Sequence, residues 1–268
     1  SAASDVYKRQ GVAIATVISQ CISAALVLRC MVKDTGPLHL DLKKMRLHPS
    51  TLSQILRIGL PAGFQGILFS LSNVVIQSSV NTFGEVIMAG NSAAANIEQF
   101  VYVSMNAMYQ ATISFTSQNY GAGNLKRCKK IFRLCMLFGI GFTEILSIIF
   151  IIWDDFFVSI YTTSAAVAVY GIIRMHHVCL LEGVTATYEV GSASLRGMGK
   201  SIEPSIITIL GTVVFRMIWM VTVFKMVPTY DMLMNVYIAS WIFTGGAIFV
   251  VYFLHMKKTE ANAAKKTL

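Results

Sequence analysis

Charge is what this chain has least of. Asp, Glu, Lys and Arg make up 13% of it, against roughly 25% in an average soluble domain. That shortage excludes an ordinary soluble fold, and a mean hydropathy of +0.63 agrees. Catalytic signatures are missing too. There is no Gly-x-Ser-x-Gly elbow, no Walker loop and no His-Glu-x-x-His helix, the patterns that set a nucleophile, a phosphate cradle or a metal pair in fixed geometry. The sequence therefore reads as a non-enzyme without a cofactor. Lacking a Walker loop, it does not hydrolyse ATP itself, so work on a solute must draw on an ion gradient or a partner. The five cysteines (Cys21, Cys30, Cys128, Cys135 and Cys179) all fall outside the loops assigned below to the exterior. They imply no disulfide framework and read as small apolar fillers.

What the chain does have is long apolar runs, at about 11–32, 54–80, 88–117, 131–153, 164–194, 204–226 and 232–256. Each exceeds the ~20 residues that carry a helix across ~30 Å of hydrocarbon. Runs of this length exclude barrel strands. The expected fold is all-α, a polytopic transmembrane bundle of seven spans.

The connections between the runs alternate in charge. Lys43, Lys44 and Arg46 mark one, then Lys126, Arg127, Lys129 and Lys130, then Arg196 and Lys200, and finally the tail with Lys257, Lys258, Lys265 and Lys266. The intervening connections carry Glu85, then Asp154 and Asp155, then Lys225 and Asp231. Short cytoplasmic loops hold excess Lys and Arg, so the loops at 33–53, 118–130 and 195–203 and the tail are expected inside a cell inner (plasma) membrane. The net charge of +9 then reflects topology and contact with anionic membrane lipid, not nucleic acid.

Seven spans with an inside C-terminus put residues 1–10 outside, although they carry Lys8 and Arg9 and no initiator Met. The string Ser-Ala-Ala-Ser-Asp-Val-Tyr-Lys-Arg-Gln resembles translated adaptor sequence, and it lacks the cleavage pattern of a signal peptide. The expectation is a non-native N-terminus on a fragment. Residues 33–53, broken at Gly36-Pro37, separate the first span from a block of six. That layout predicts a linker between the last helix (11–32) of a missing N-terminal lobe and a six-helix lobe at 54–256, followed by a tail at 257–268.

Polar residues inside spans face a bundle interior or a cavity. Gln65, Asn73 and Gln77 repeat by eight and four, so they share a face. Asn96, Gln99, Asn106, Gln110, Ser114 and Ser117 form a stripe along the third span. Hydrogen-bonded glue between helices is the bland explanation; a stripe on two neighbouring helices favours a cavity wall. In the fifth span Glu182, Thr185, Glu189, Ser192 and Arg196 follow at threes and fours. The small-molecule cavity is expected to draw on Gln65, Asn73, Gln77, Asn106, Gln110 and Thr185. Glu189 is the candidate for coupling to a proton or sodium ion; a static pair with Arg196 is the competing role.

Other polar groups read as structural. Glu144 and Arg216 lie mid-span and are expected to pair across helices. His176 and Cys179 could meet over one turn, but no further ligand accompanies them, so no metal site is expected. Gly139, Gly141 and Gly245-Gly246 suit close helix packing, and Met217, Met220 and Met226 suit filler.

Four ordered blocks resemble the multidrug and toxic compound extrusion (MATE) family, specifically its C-terminal half, over about residues 49–256. They are Gly59-Leu60-Pro61, Ala93-Ala94-Ala95-Asn96-Ile97-Glu98, Phe115 to Asn124 with its Gln118-Asn119-Tyr120-Gly121-Ala122, and Leu195-Arg196-Gly197-Met198-Gly199-Lys200-Ser201 before Pro204. The resemblance implies twelve helices in two lobes around a substrate cavity, and export of organic, often cationic, compounds in exchange for protons or sodium. One departure stands out. Some members carry a Glu eight residues after the Pro, here Phe69, and an Asp eleven residues before the loop Arg, here Thr185. That carboxylate site does not transfer, and Glu189 is the nearest replacement in the span. The alternatives are a lipid-linked sugar flippase of related fold, a seven-helix receptor and a lipid-modifying membrane enzyme. A retinal protein would need a Lys between Met232 and Met256, where none lies.

Overall fold

The computed structural model describes residues 2–36, 39–44 and 46–267. Pro37 of the expected breaker and Ser1 of the N-terminal string lie outside the described residues. The chain divides into two compact units, residues 1–53 and 54–268. The first holds helix α1 (Ala2–Lys33), which starts within the string expected to precede the span, and a short 3₁₀ turn at Leu42–Lys44. His39 Nδ1 meets the Asp34 carbonyl at 2.7 Å, and the Leu40 amide donates to the Met31 carbonyl at 3.0 Å. These bonds fold the connection back on the end of α1.

The second unit has helices and their connections and no strand among its described residues. Helix α2 (Pro49–Asn81) begins ahead of the boundary and carries Pro61 in its interior. It is followed by α3 (Glu85–Gly121), α4 (Leu125–Ile152), the short α5 (Asp154–Ser159), α6 (Ala165–Val178) and α7 (Thr185–Gly197). Then come α8 (Ile202–Thr208), a π-helical segment at Ile209–Val214, α9 (Phe215–Val221), α10 (Val223–Met226) and the long α11 (Tyr230–Thr267).

Six helical stretches are long and apolar enough to cross a membrane. Their mean hydropathy is highest in Leu125–Ile152, at 2.3, and lowest in Ala165–Gly197, at 1.3. The remaining expected span lies in α3, a helix of 37 residues. Its polar stripe keeps it out of that set.

The fifth expected span is not one helix. Between α6 and α7 the chain runs through a 3₁₀ segment, Cys179–Val184, in which Leu181 has non-helical torsions (φ −118°, ψ 18°). The even spacing from Glu182 to Arg196 therefore does not define one continuous face across the break. A segment like this leaves backbone donors without their usual partners. The Glu144 carboxylate on α4 accepts from the Gly183 amide at 2.9 Å. The expected Glu144–Arg216 pair is thus not formed, because Glu144 is committed to the break and Arg216 binds elsewhere.

Two basic loops end in the same way. Gly123 (φ 72°) and Gly199 (φ 78°) adopt the left-handed conformation. Asn124 then donates to Asn119 at 2.8 Å and Lys200 to Leu195 at 2.9 Å. This six-to-one bond closes a Schellman turn, for which glycine pays no Cβ penalty.

Small residues let the inner helices touch. Nine residues of α7, from Thr185 to Leu195, are buried, and α7 packs against α3, α4 and α11. Gly245 on α11 lies against Thr187, Gly139 on α4 against Met105 and Ala186, and Gly197 against Thr116. Between lipid-soluble helices the association comes from such close packing, not from a hydrophobic drive. Large apolar side chains face outward instead, among them Leu137, Phe142, Ile145 and Ile152 of α4.

Candidate functional site

A cavity of about 430 Å³ opens inside the second unit, between α2, α3, α6, α7, α9 and α11. Two buried cations organise it. Arg174, on α6, sends Nε and Nη2 to one carboxylate oxygen of Glu98, Oε2, at 3.1 and 2.5 Å. Its Nη1 donates to Asn91 Oδ1 at 3.0 Å, where the Tyr230 hydroxyl also donates at 3.0 Å. Asn91 in turn donates to Gln77, and Gln77 to Asn81, at 3.2 and 3.0 Å. Each donor in this line has an acceptor, which is what a charge buried at membrane depth requires.

Arg216 on α9, 1% exposed, is the second cation. It donates to Ser240 and Asn73, both at 3.1 Å. Its guanidinium also lies over the rings of Phe69 and Tyr237, at 5.3 and 4.6 Å from their centroids. The Tyr237 ring takes Arg174 as well, at 5.2 Å. One aromatic face thus serves two cations, each attracted by the ring quadrupole.

Glu182 is the least satisfied group in the cavity wall. It is 2% exposed, and its Oε2 has no hydrogen-bond partner among the described residues. It projects from the 3₁₀ segment, whose Glu182 carbonyl accepts from the Thr185 hydroxyl. Two arginines and two glutamates, with Asn, Gln, Tyr and Trp around them, make a site able to hold polar or charged solutes.

The expected cavity residues divide. Asn73, Gln77 and Thr185 line this space, as does Phe69. Gln65 does not: it accepts from Arg196 Nη2 at 2.6 Å. Asn106 and Gln110 are exposed on the surface of α3 and outside this cavity. Glu189 is half-buried on α7, also outside it. The static Glu189–Arg196 pair is not formed. Arg196 instead donates to the Tyr109 hydroxyl, to Gln65 and, at 3.3 Å, to Ser205. His176 and Cys179 do not meet in a metal cluster: His176 sits 2.8 Å from Asp154, and Cys179 is buried beside Ile97 and Met175.

Arg174 and Glu98 were missed as a site by sequence reasoning. Their signal was charge inside an apolar run, outweighed there by the regular spacing of the residues after the break.

The sequence model of the MatE family matches residues 61–222. The probable multidrug resistance protein YoeA of Bacillus subtilis is 25% identical over 203 residues, covering 74% of this chain and 44% of YoeA. The probable multidrug resistance protein NorM of Thermotoga maritima is 22% identical over 203 residues, covering 75% of this chain and 43% of NorM. The chain thus spans less than half the length of these relatives. A crystal structure of MATE in complex with MaL6 superposes with a TM-score of 0.82 at 19% identity, over 92% of this chain and 56% of that one. At that identity the likeness speaks for the fold. With the family model covering well over half of its length, the chain belongs to the MatE family.

Proposed function

We propose that this chain supplies one helical bundle of a secondary-active efflux transporter, which exports organic or cationic drug-like compounds in exchange for protons or sodium. The observation that carries the reading is the exposed polar face of α3. Asn106 and Gln110, like Asn96 and Gln99, are exposed on a helix of 37 residues, in a bundle that also exposes many large apolar side chains. Polar groups at membrane depth belong against protein or water. In this proposal α3 is a seventh crossing whose outer face lines the aqueous path for the solute. Gln65, Asn106 and Gln110 are wall residues there; Asn73, Gln77 and Thr185 reach the path from the inner cavity. The names of relatives such as the multidrug export protein MepA of Staphylococcus aureus support the substrate class.

Helix 11–32 closes a preceding lobe, 33–53 is a cytoplasmic linker, 54–256 is the C-terminal lobe and 257–268 a cytoplasmic tail of an inner-membrane protein. Glu189 carries the coupling ion. Alternating access needs a group whose affinity differs between the two states, since equal affinity shifts nothing. Glu189 has no hydrogen bond or ion pair among the described residues, and the nearby Arg196 gives its hydrogen bonds to Tyr109 and Gln65, which leaves the carboxylate oxygens open to an ion.

Vesicles with an imposed proton or sodium gradient test this. Gradient-driven efflux of a cationic dye is expected, abolished by Glu189→Gln with dye binding retained. Gradient-independent dye movement would refute the proposal; full transport by a folded Glu189→Gln protein would remove Glu189 from it.

A further inference from the structure

A groove between the start of α4 and the end of α11 is unused by the function above. It encloses about 480 Å³ and is lined by Lys129, Arg133, Lys257, Phe132, Tyr252 and Phe253, with Glu260 at its rim. Lys129 Nζ meets Glu260 Oε1 at 2.6 Å and ties the two helices together. The remaining cations have no carboxylate partner among the described residues. Arg133 spends only its Nε, on the Lys129 carbonyl at 3.5 Å, and neither Arg133 nor Lys257 has an ion pair among the described residues. Three cations thus face one acid, and that acid is already paired.

The floor of the groove is aromatic. Tyr252 stacks on Phe132 with centroids 3.9 Å apart and planes at 15°, and Phe253 meets Phe132 edge-on at 6.1 Å. Phe253 is 57% exposed, one turn from Lys257 toward the apolar body of α11. Tyr252 is 2% exposed, yet its hydroxyl has no hydrogen-bond partner among the described residues. A buried hydroxyl normally has one. Here a donor, two cations without a carboxylate partner and an exposed ring line one groove, on the side of the chain that carries the basic loops.

We propose that this groove binds an anionic phospholipid, with its phosphate held by Arg133, Lys257 and the Tyr252 hydroxyl and its acyl chains laid along Phe253. The charge balance selects an anionic headgroup: basic pockets between helices on the cytoplasmic side suit one. The exposed Phe253 selects a ligand with a hydrocarbon tail, since a small soluble anion would leave that ring without a partner. Arg and Lys stems cover apolar surface while their charges stay at headgroup level, which matches the position of both residues at the edges of the apolar runs 131–153 and 232–256.

The whole chain in detergent, observed by native mass spectrometry and thermal melting, provides the test, and it needs no transport activity. Phosphatidylglycerol is expected to stay bound and raise the melting temperature, phosphatidylcholine and inorganic phosphate to do neither, and high salt to weaken the effect. Tyr252→Phe should weaken phosphatidylglycerol binding about tenfold, the loss of one hydrogen bond to a charged group. The double variant Arg133→Gln/Lys257→Gln should erase the preference for phosphatidylglycerol, while Lys126→Gln, outside the groove, should not. Equal retention of phosphatidylcholine, displacement by inorganic phosphate, or an unchanged preference in the double variant would each overturn the proposal. Should the double variant fail to fold, the near-isosteric Tyr252→Phe decides alone: unchanged affinity there rejects the site.

Discussion

Arg174 binds Glu98 through a single carboxylate oxygen, Oε2, although 76 positions separate them in the chain. The pair joins α6 to α3 beside the cavity, with both side chains less than one-fifth exposed. Arg174 does not spend its whole fork on Glu98. Its third arm goes to Asn91, so that the ion pair and the amide line from Asn91 to Asn81 form one connected unit.

That unit predicts an asymmetry between single and double changes. Glu98→Gln and Arg174→Met each strand a buried partner and should lower stability by about 3–5 kcal/mol. The combined variant should recover part of the loss, because no unpaired charge remains. Thermal melts of the four proteins in one detergent form the cycle; additive losses would show that the two residues act independently.

Glu144 is predicted to matter as an acceptor rather than as a charge. Glu144→Gln keeps an oxygen within reach of the Gly183 amide and should cost less than about 1 kcal/mol. Glu144→Leu leaves that amide unpartnered in the wall of the break and should cost about 1–3 kcal/mol. Equal melting temperatures for the two variants would contradict the bond.

Gly90 sits where α3 crosses α6. A Cβ built there meets the Val167 carbonyl oxygen at 2.5 Å and the Gly171 nitrogen at 2.9 Å, both backbone atoms that cannot swing away. Gly90→Ala should therefore destabilise by about 1–3 kcal/mol. Gly59→Ala, with nothing within 4 Å of the added carbon, should be neutral or slightly stabilising, since alanine is the better helix former. The order of the two melting temperatures is the readout.

Topology is open to labelling. Single cysteines at Lys126 and Asp155, introduced into a chain lacking its native cysteines, should behave oppositely toward an impermeant thiol reagent added outside intact cells. Asp155→Cys should react and Lys126→Cys should not. The reverse pattern would invert the orientation read from the basic loops.

Much of this arrangement is legible in the sequence. Six of the seven expected spans returned as helical stretches apolar enough to cross a membrane, because length and apolarity are additive along a segment. Gly123 and Gly199 end their helices inside the connections expected at 118–130 and 195–203, since a left-handed residue is a local requirement. The site was less legible. Of the Gln65, Asn73 and Gln77 face, Asn73 and Gln77 line the cavity and Gln65 does not, and spacing could not foresee the break at Cys179–Val184, which removes the single periodicity assumed from Glu182 to Arg196. Nor could it assign partners. Arg196 chose Tyr109 and Gln65, and Arg216 chose Asn73 and Ser240. Partner choice depends on how helices far apart in the chain are brought side by side, and one-dimensional spacing holds no record of it.

The break at Cys179–Val184 also bears on how the chain enters the bilayer. The stretch that contains it, Ala165–Gly197, has the lowest mean hydropathy of the six, 1.3, and carries Arg174, Glu182 and Glu189 into the apolar layer. Charged residues near a span's centre each oppose insertion by roughly 2.5–3.5 kcal/mol. The preceding Leu125–Ile152, at 2.3, and the following Ile202–Met226, at 2.1, are far better substrates for the insertion machinery. The two strongly apolar stretches flank the weak one, so its insertion should be helped by theirs and by the pairing of Glu98 with Arg174. Biogenesis thus comes to depend on neighbours where the polar lining is richest.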